Sequence, residues 1–438
     1  MIYQFLKVLF KISLSVFFKK ISIVGQEKLA ADGPLILVSN HPNTFMDPLL
    51  IAIYTKQRVG FIANGTLFRN PLLARVFAFF HMIPIYRKVD LRLGEKKDNN
   101  ATFIKCHEYL DTGNTFLIFP EGTSHHELKL REIKTGTARI ALSYEVSKQF
   151  RSGLKILPIS LDYSDAIRFR SVVTMHVETP IETASYKEVH EDNEVKAVKR
   201  LTEDIRFRLL KNIPQTENKE EELFLIKAHE FYTTYIENTA ALYNDPKKSL
   251  RYRNEIAKIL NKLAVEDVET YKTLKEKLNN YYLELRKAKL SPEMLKKEFQ
   301  SKSVVSISGL YLIGLILCLP IYVCGLLFNY IPYILPSVLY KKTGLDISYK
   351  APVQMIVGLL IFPLFYGVYF VLFGMYLSQE IRKQIAFLLV LPILGLCTIS
   401  YFSYLKRAIN LWRFAFTVSE KTKKQLYDSR DAIELLVK

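Results

Sequence analysis

The sequence predicts an α/β domain with a largely parallel sheet, a helical extension and a C-terminal α-helical transmembrane region. Three observations predict this. From residue 34 short apolar runs alternate with amphipathic stretches, the pattern of strands joined by helical crossovers. Residues 186–300 are rich in Glu, Lys, Leu and Tyr with almost no glycine, a composition of long solvent-facing helices. Residues 303–340, 351–379 and 384–405 contain no Asp, Glu, Lys or Arg, and a bilayer span needs about 20 mostly apolar residues.

The opening MIYQFLKVLFKISLSVFFKK has no small-residue cleavage site, and lysines interrupt its apolar core, so it does not read as a signal peptide. Gln4, Lys7, Lys11 and Ser15 form one polar stripe. Residues 1–20 are therefore expected to be an amphipathic membrane-interface helix with its lysines towards phosphate headgroups; the alternative is a helix packed on the domain's own surface. Over 21–212, PLILVSN, VGFIAN, MIPIYR, TFLIFP, LKILPISLDY and SVVTMHVETPI read as strands. PLLIAIYTK, NPLLARVFAFF, roughly residues 98–111, and GTARIALSYEVSK read as helices. The extension covers 213–302 and ends in the basic shoulder LSPEMLKKEFQSK. The transmembrane region, 303–405, holds three or four spans, because Pro320, Pro332 and Pro336 leave room for a broken or doubled first one. Four crossings would return the basic tail, 406–438, to the cytoplasmic side, as positive-inside bias prefers.

The formal charge of +18 on a membrane-spanning chain points to anionic lipid or a phosphorylated substrate. There is no zinc-finger spacing or similar module, and no nucleic-acid partner is expected. Of four cysteines only Cys106 lies outside the apolar runs, which fits a reducing compartment without a disulfide framework. GxxxxGK[ST], GxGxxG, HExxH and paired CxxC motifs do not occur, which argues against P-loop, dinucleotide, zincin and zinc-ribbon chemistry. His125 and His126 stand without a second ligand pair at helical or hairpin spacing, so no metal is expected.

In α/β sheets chemistry gathers past the carboxyl ends of strands, where four polar clusters fall. In SNHPNTFMDP, Asp47 before Pro48 reads plainly as an N-cap followed by a first-turn proline. Paired with His41 it reads otherwise, because a carboxylate on one ring nitrogen fixes the tautomer and makes a general base. Arg87 in IPIYRK is either a surface arginine or a bidentate phosphate clamp. In FPEGTSHH, Glu121 between Pro120 and Gly122 sits in an ordinary turn or binds a substrate hydroxyl. Lys134 precedes Thr135, Gly136 and a helix start, where free amides attract anions.

In this order and at these intervals the clusters resemble the glycerolipid acyltransferase family, the lysophosphatidate acyltransferase-like superfamily, over roughly residues 20 to 212. His41 and Asp47 are similar to its catalytic His–Asp motif, GFIANGTLFRN with IPIYR to its second block, FPEG to its third and ILPISL to its fourth. Two departures stand out. The commonest motif has four residues between His and Asp, whereas Pro42 to Met46 make five; and Ser124 stands where the common third block carries an arginine. Both resemble the dual-substrate glycerol-3-phosphate and dihydroxyacetone-phosphate acyltransferase branch, in which FPEG is followed by Ser-His and then Lys-x-Gly-x-Ala, as in Ser124, His125, Lys134, Gly136 and Ala138.

The resemblance implies a membrane-bound glycerol-3-phosphate O-acyltransferase with its catalytic domain on the cytoplasmic face. A fatty acyl thioester, on CoA or acyl carrier protein, would donate to the first hydroxyl of glycerol 3-phosphate or dihydroxyacetone phosphate, with no cofactor. His41 and Asp47 would be catalytic. Arg87, Glu121, Gly122 and Lys134 would bind substrate, with Asn40, Ser124 and His125 as further contacts. The alternative acceptor is a 1-acylglycerol 3-phosphate, and a reading of another class is a non-catalytic membrane scaffold.

Overall fold

The computed structural model describes residues 2–30, 33–85, 100–236, 246–296 and 303–437. The chain divides into two compact units, Met1–Thr216 with Asp346–Pro352, and Glu217–Leu345 with Val353–Lys438.

Among the described residues the first unit is built on an eight-stranded sheet. Along it run β1 (Lys20–Val24), β7 (Val172–Val177), β6 (Lys155–Tyr163), β2 (Leu35–Ser39), β5 (Thr115–Ile118), β3 (Val59–Asn64) and β4 (Met82–Ile85), with β8 (Ile181–Glu182) on β6. Every pairing is parallel except β6 with β7 and with β8. The largely parallel sheet expected from the sequence is thus present. Crossover helices join the parallel strands: α2 (Met46–Tyr54), α3 (Pro71–Phe79), α4 (Asn100–Asp111) and α5 (Gly136–Ser147). β2 is central and buried on both faces, Leu35 to Val38 being at most 1% exposed, which is why it reads as an unbroken apolar run rather than an alternation. Ile36 and Val38 join Phe116, Ile140 and Ile156 in one core, which α7 (Glu194–Leu210) closes with Ala197, Leu201, Ile205 and Leu209 at four-residue spacing.

Three sequence expectations are corrected. SVVTMHVETPI is not one strand but β7 and β8, because Pro180 has no N–H to give the ladder. The opening helix, α1 (Ile2–Phe17), stops short of residue 20, and Lys20 already pairs with Val172 in β1. Nor do the lysines of α1 simply face outward. Lys7 Nζ donates to Thr55 O at 2.6 Å, and burial lowers its pKa, while Lys11 lies over the Tyr54 ring. Leu14 and Phe17 are buried. The surface left exposed carries Phe5, Val8, Ile12 and Val16, three or four residues apart on one face of the helix.

In the second unit α8 (Lys219–Phe231) and the helices Pro246–Glu266 and Val268–Ala288 share a core with the C-terminal helix Glu420–Val437. Phe224, Phe231, Tyr281 and Leu285 meet Leu411, Phe414, Leu426 and Ile433 there, so extension and tail form one body. Among the described residues three helices are long and apolar enough to cross a membrane: Ile307–Thr343, Ile347–Tyr376 and Ile381–Thr417. Ser303–Thr343 runs as one helix through its three prolines. The first and third pair through small residues and stacked rings, Tyr311 on Tyr404 and Tyr322 on Tyr401. Asn329 donates to Leu391 O at 3.1 Å and accepts from Tyr366 at 2.6 Å, satisfying its amide where water is scarce.

Candidate active site

β2 and β5 are parallel neighbours, with Val38 beside Ile118, so the loops leaving their carboxyl ends emerge side by side. The first carries Asn40 and His41 into α2; the second carries Phe119 to His125. Their backbones are tied directly: His125 N donates to His41 O at 3.0 Å.

His41 Nδ1 lies 2.9 Å from Asp47 Oδ2. Asp47 is in the first turn of α2, where a carboxylate suits the helix dipole. It is not an N-cap, as its plainest sequence reading had it; the cap position is Phe45, and the Asp47 side chain folds back over the loop. A fully buried carboxylate needs partners, and this one has three. Oδ2 also accepts from Asn43 N at 2.7 Å, and Oδ1 accepts from Tyr163 OH at 2.5 Å. Burial, and the Asp47 charge beside it, push the Tyr163 hydroxyl well above its usual pKa, which keeps it a donor. The imidazole stacks on Phe119 with ring centroids 3.8 Å apart. The ring is thus fixed at its edge and its face. With the proton on Nδ1, Nε2 is left to accept a proton from substrate, the arrangement of a general base held by a carboxylate.

Glu121 is buried and takes both oxygens to backbone amides, His41 N on Oε1 at 2.9 Å and Arg131 N on Oε2 at 3.0 Å. Burial raises its pKa against these two bonds. It therefore joins three stretches of the site. Gly122 adopts φ +79°, and a Cβ there would meet Lys134 Nζ at 2.8 Å; glycine both permits the turn and makes room for the lysine. Lys134 N donates to Pro120 O at 2.9 Å. With Glu121, Thr123, Lys129, Leu130, Arg131 and Glu132, Lys134 lines a cavity of about 520 Å³, basic on balance. Arg131 is itself paired with Glu127 at 2.7 Å.

The remaining expected residues are placed as follows. Asn40 is buried with both ends of its amide bonded to the Leu161 backbone, at 2.9 and 2.8 Å, fastening β2 to β6. Ser124 Oγ accepts from Thr44 N at 2.9 Å. His125 Nε2 lies 2.7 Å from Thr123 Oγ1, and burial lowers its pKa. Arg87 falls outside the described residues. Sequence reasoning missed Asn43, Tyr163, Thr44 and Phe119. Phe119 adjoins a recognised motif, whereas Tyr163 ends a strand with no local mark of its role.

Residues 20–162 match the Acyltransferase family model. A chloroplastic 1-acyl-sn-glycerol-3-phosphate acyltransferase of Arabidopsis thaliana is 28% identical over 155 residues, 34% of this chain and 38% of its own length. Glycerol-3-phosphate O-acyltransferase 2 of Saccharomyces cerevisiae is 31% identical over 129 residues, 28% of this chain and 17% of its own. The chain thus spans less than half the length of either relative. Among solved structures, the 1-acyl-sn-glycerophosphate acyltransferase PlsC of Thermotoga maritima is similar at 20% identity and a TM-score of 0.33, over 46% of this chain and 76% of that one. His41, Asp47 and Glu121 all lie inside the stretch, residues 20–162, that matches the Acyltransferase family model.

Proposed function

We propose that the protein is a membrane-bound glycerol-3-phosphate O-acyltransferase, which moves a fatty acyl group from a thioester to the sn-1 hydroxyl. One observation carries the chemistry: an imidazole held by a buried aspartate at the carboxyl end of a central parallel strand, inside the acyltransferase-family stretch. The acceptor hydroxyl approaches His41 Nε2, which takes its proton as the oxygen attacks the thioester carbonyl. Asp47 stabilises the imidazolium. The tetrahedral intermediate then expels the thiolate, which recovers the proton from His41, so no acyl-enzyme and no cofactor is needed.

Lys134, in the basic cavity beside Gly122, is the described cation best placed for the acceptor phosphate, and Arg87 is the further candidate. CoA or acyl carrier protein carries the acyl group. The three apolar helices and the exposed apolar stripe of α1 suit a site fed with acyl chains from the bilayer, on the cytoplasmic face.

The second reading changes only the acceptor. Several relatives are acyltransferases for 1-acyl-sn-glycerol 3-phosphate, which favours a lysophosphatidate. Purified full-length protein in detergent, given acyl-CoA with glycerol 3-phosphate or with lysophosphatidate, separates the two by kcat/KM. His41→Ala should abolish transfer without lowering the folded yield. Near wild-type transfer by His41→Ala refutes the assignment, and thioester left unconsumed with every acceptor favours a non-catalytic scaffold.

A further inference from the structure

The two departures from the common family pattern meet at one hydrogen bond. Thr44 belongs to the longer loop between His41 and Asp47, and its backbone N–H is received by Ser124, the residue standing in the arginine position. Thr44 is held from the other direction as well. Its hydroxyl donates to Ser348 O at 3.0 Å, some three hundred residues along the chain.

Ser348 lies in a turn, Ile347–Tyr349, inside the segment Asp346–Pro352 that belongs to the same compact unit as the sheet. Asp346 builds this turn. Its Oδ1 accepts from Ser348 N at 2.9 Å and from Ser348 Oγ at 2.7 Å, and its carbonyl accepts from Tyr349 N at 3.0 Å. Ser348 and Ala351 are buried, and the Asp346 charge acts on His125, the residue bonded to His41 O. An isolated turn in a chain otherwise bound for apolar helices has no reason to bury its middle residue there unless it is part of that surface.

We propose that Thr44 is a positioning residue of the His41–Asp47 loop, clamped between Ser124 and the Asp346–Tyr349 turn, and that this turn is a working part of the acyltransferase site. A five-residue loop has more freedom than a four-residue one and needs more attachments to hold its ends in register. Ser124 supplies the near attachment and the turn the far one. This rests on the proposed reaction for its kinetic readout but not for its structural one.

The test uses full-length protein in detergent with Thr44→Val, which keeps shape and backbone but removes the hydroxyl donor, and Asp346→Ala, which unmakes the turn without touching the loop. Each should lower kcat about fivefold with KM within about twofold, the loss expected for one hydrogen bond that orients rather than binds. The double variant should be no slower than Thr44→Val alone, since both act through one contact. Amide hydrogen exchange over residues 41–47 should quicken in Asp346→Ala. Unchanged exchange there, or kinetic losses that multiply, overturns the clamp. If the wild type acylates no acceptor, the proposed reaction fails while exchange still decides the clamp.

Discussion

Asp47→Asn changes one atom and removes one charge. Asparagine keeps the shape of the buried side chain and an oxygen for Asn43 N and for His41 Nδ1–H, while its NH₂ meets Tyr163, whose hydroxyl can turn to accept. What disappears is the attraction between carboxylate and imidazolium across 2.9 Å. At an effective dielectric of about 20, unit charges at that separation attract by roughly 6 kcal/mol. The His41 ring is 16% exposed, so solvent takes part of this. A loss of about 4–6 kcal/mol from the transition state is roughly 10³–10⁴-fold in kcat. The assay is steady-state acyl transfer from acyl-CoA at saturating acceptor, with a thermal melt confirming a folded variant. KM should change little, because the charge is needed only as the imidazolium forms. In a His41→Ala background the second substitution should add almost nothing. Retention of more than a tenth of wild-type kcat by Asp47→Asn would refute the pairing as the source of the base.

Tyr163→Phe leaves Asp47 Oδ1 without its donor in a site closed to water. Stability should fall by about 1–3 kcal/mol, read as a lower Tm, and an unchanged Tm would contradict the bond. Burial pushes the Cys106 thiol up to about 12, so it holds no appreciable thiolate at pH 8. Maleimide should label it only after denaturation, read by mass spectrometry on the peptide that carries Cys106 because Cys318, Cys324 and Cys397 are exposed, and fast labelling of that peptide in the folded protein would show the thiol to be accessible. At Gly325 a Cβ would run into Thr398 Oγ1 and sit 2.6 Å from Leu394 O. Gly325→Ala should therefore destabilise the paired apolar helices by about 1–3 kcal/mol, whereas Gly309→Ala, with nothing within 4 Å of its Cβ position, should not; equal melts for the two would count against the pairing.

What was legible in the sequence followed from local pattern. Leu35–Ser39 announces a doubly buried strand because all its residues are apolar or small, and α7 shows its core face as Ala197, Leu201, Ile205 and Leu209. Illegible features depended on partners far away. The antiparallel return of β7 onto β6 is set by the short connection between them, residues 164–171, not by the composition of either strand. The inward turn of Lys7 depends on a carbonyl at Thr55 that no window around residue 7 contains. Tyr163 resembles any strand-terminal tyrosine until β6 is laid beside β2, which brings its hydroxyl to Asp47.

Glu121 shows the same limit within a motif the sequence made plain. The residue was found, but the chain alone does not reveal that its two oxygens already hold His41 N and Arg131 N. Two roles follow, with opposite kinetic signs. As a tie between loops, Glu121 orients the base, and Glu121→Gln replaces one acceptor oxygen by an NH₂ facing an N–H. Losing that bond and leaving a buried donor unmet costs about 1–3 kcal/mol, which should appear as a roughly 5- to 150-fold lower kcat and a lower Tm with acceptor KM held. As a ligand for a glycerol hydroxyl present equally in ground and transition states, Glu121 would instead raise acceptor KM and leave kcat and Tm in place. The geometry predicts the first outcome: both oxygens are occupied by amides, and the residue as a whole is only 8% exposed. A rise in acceptor KM alone would overturn it.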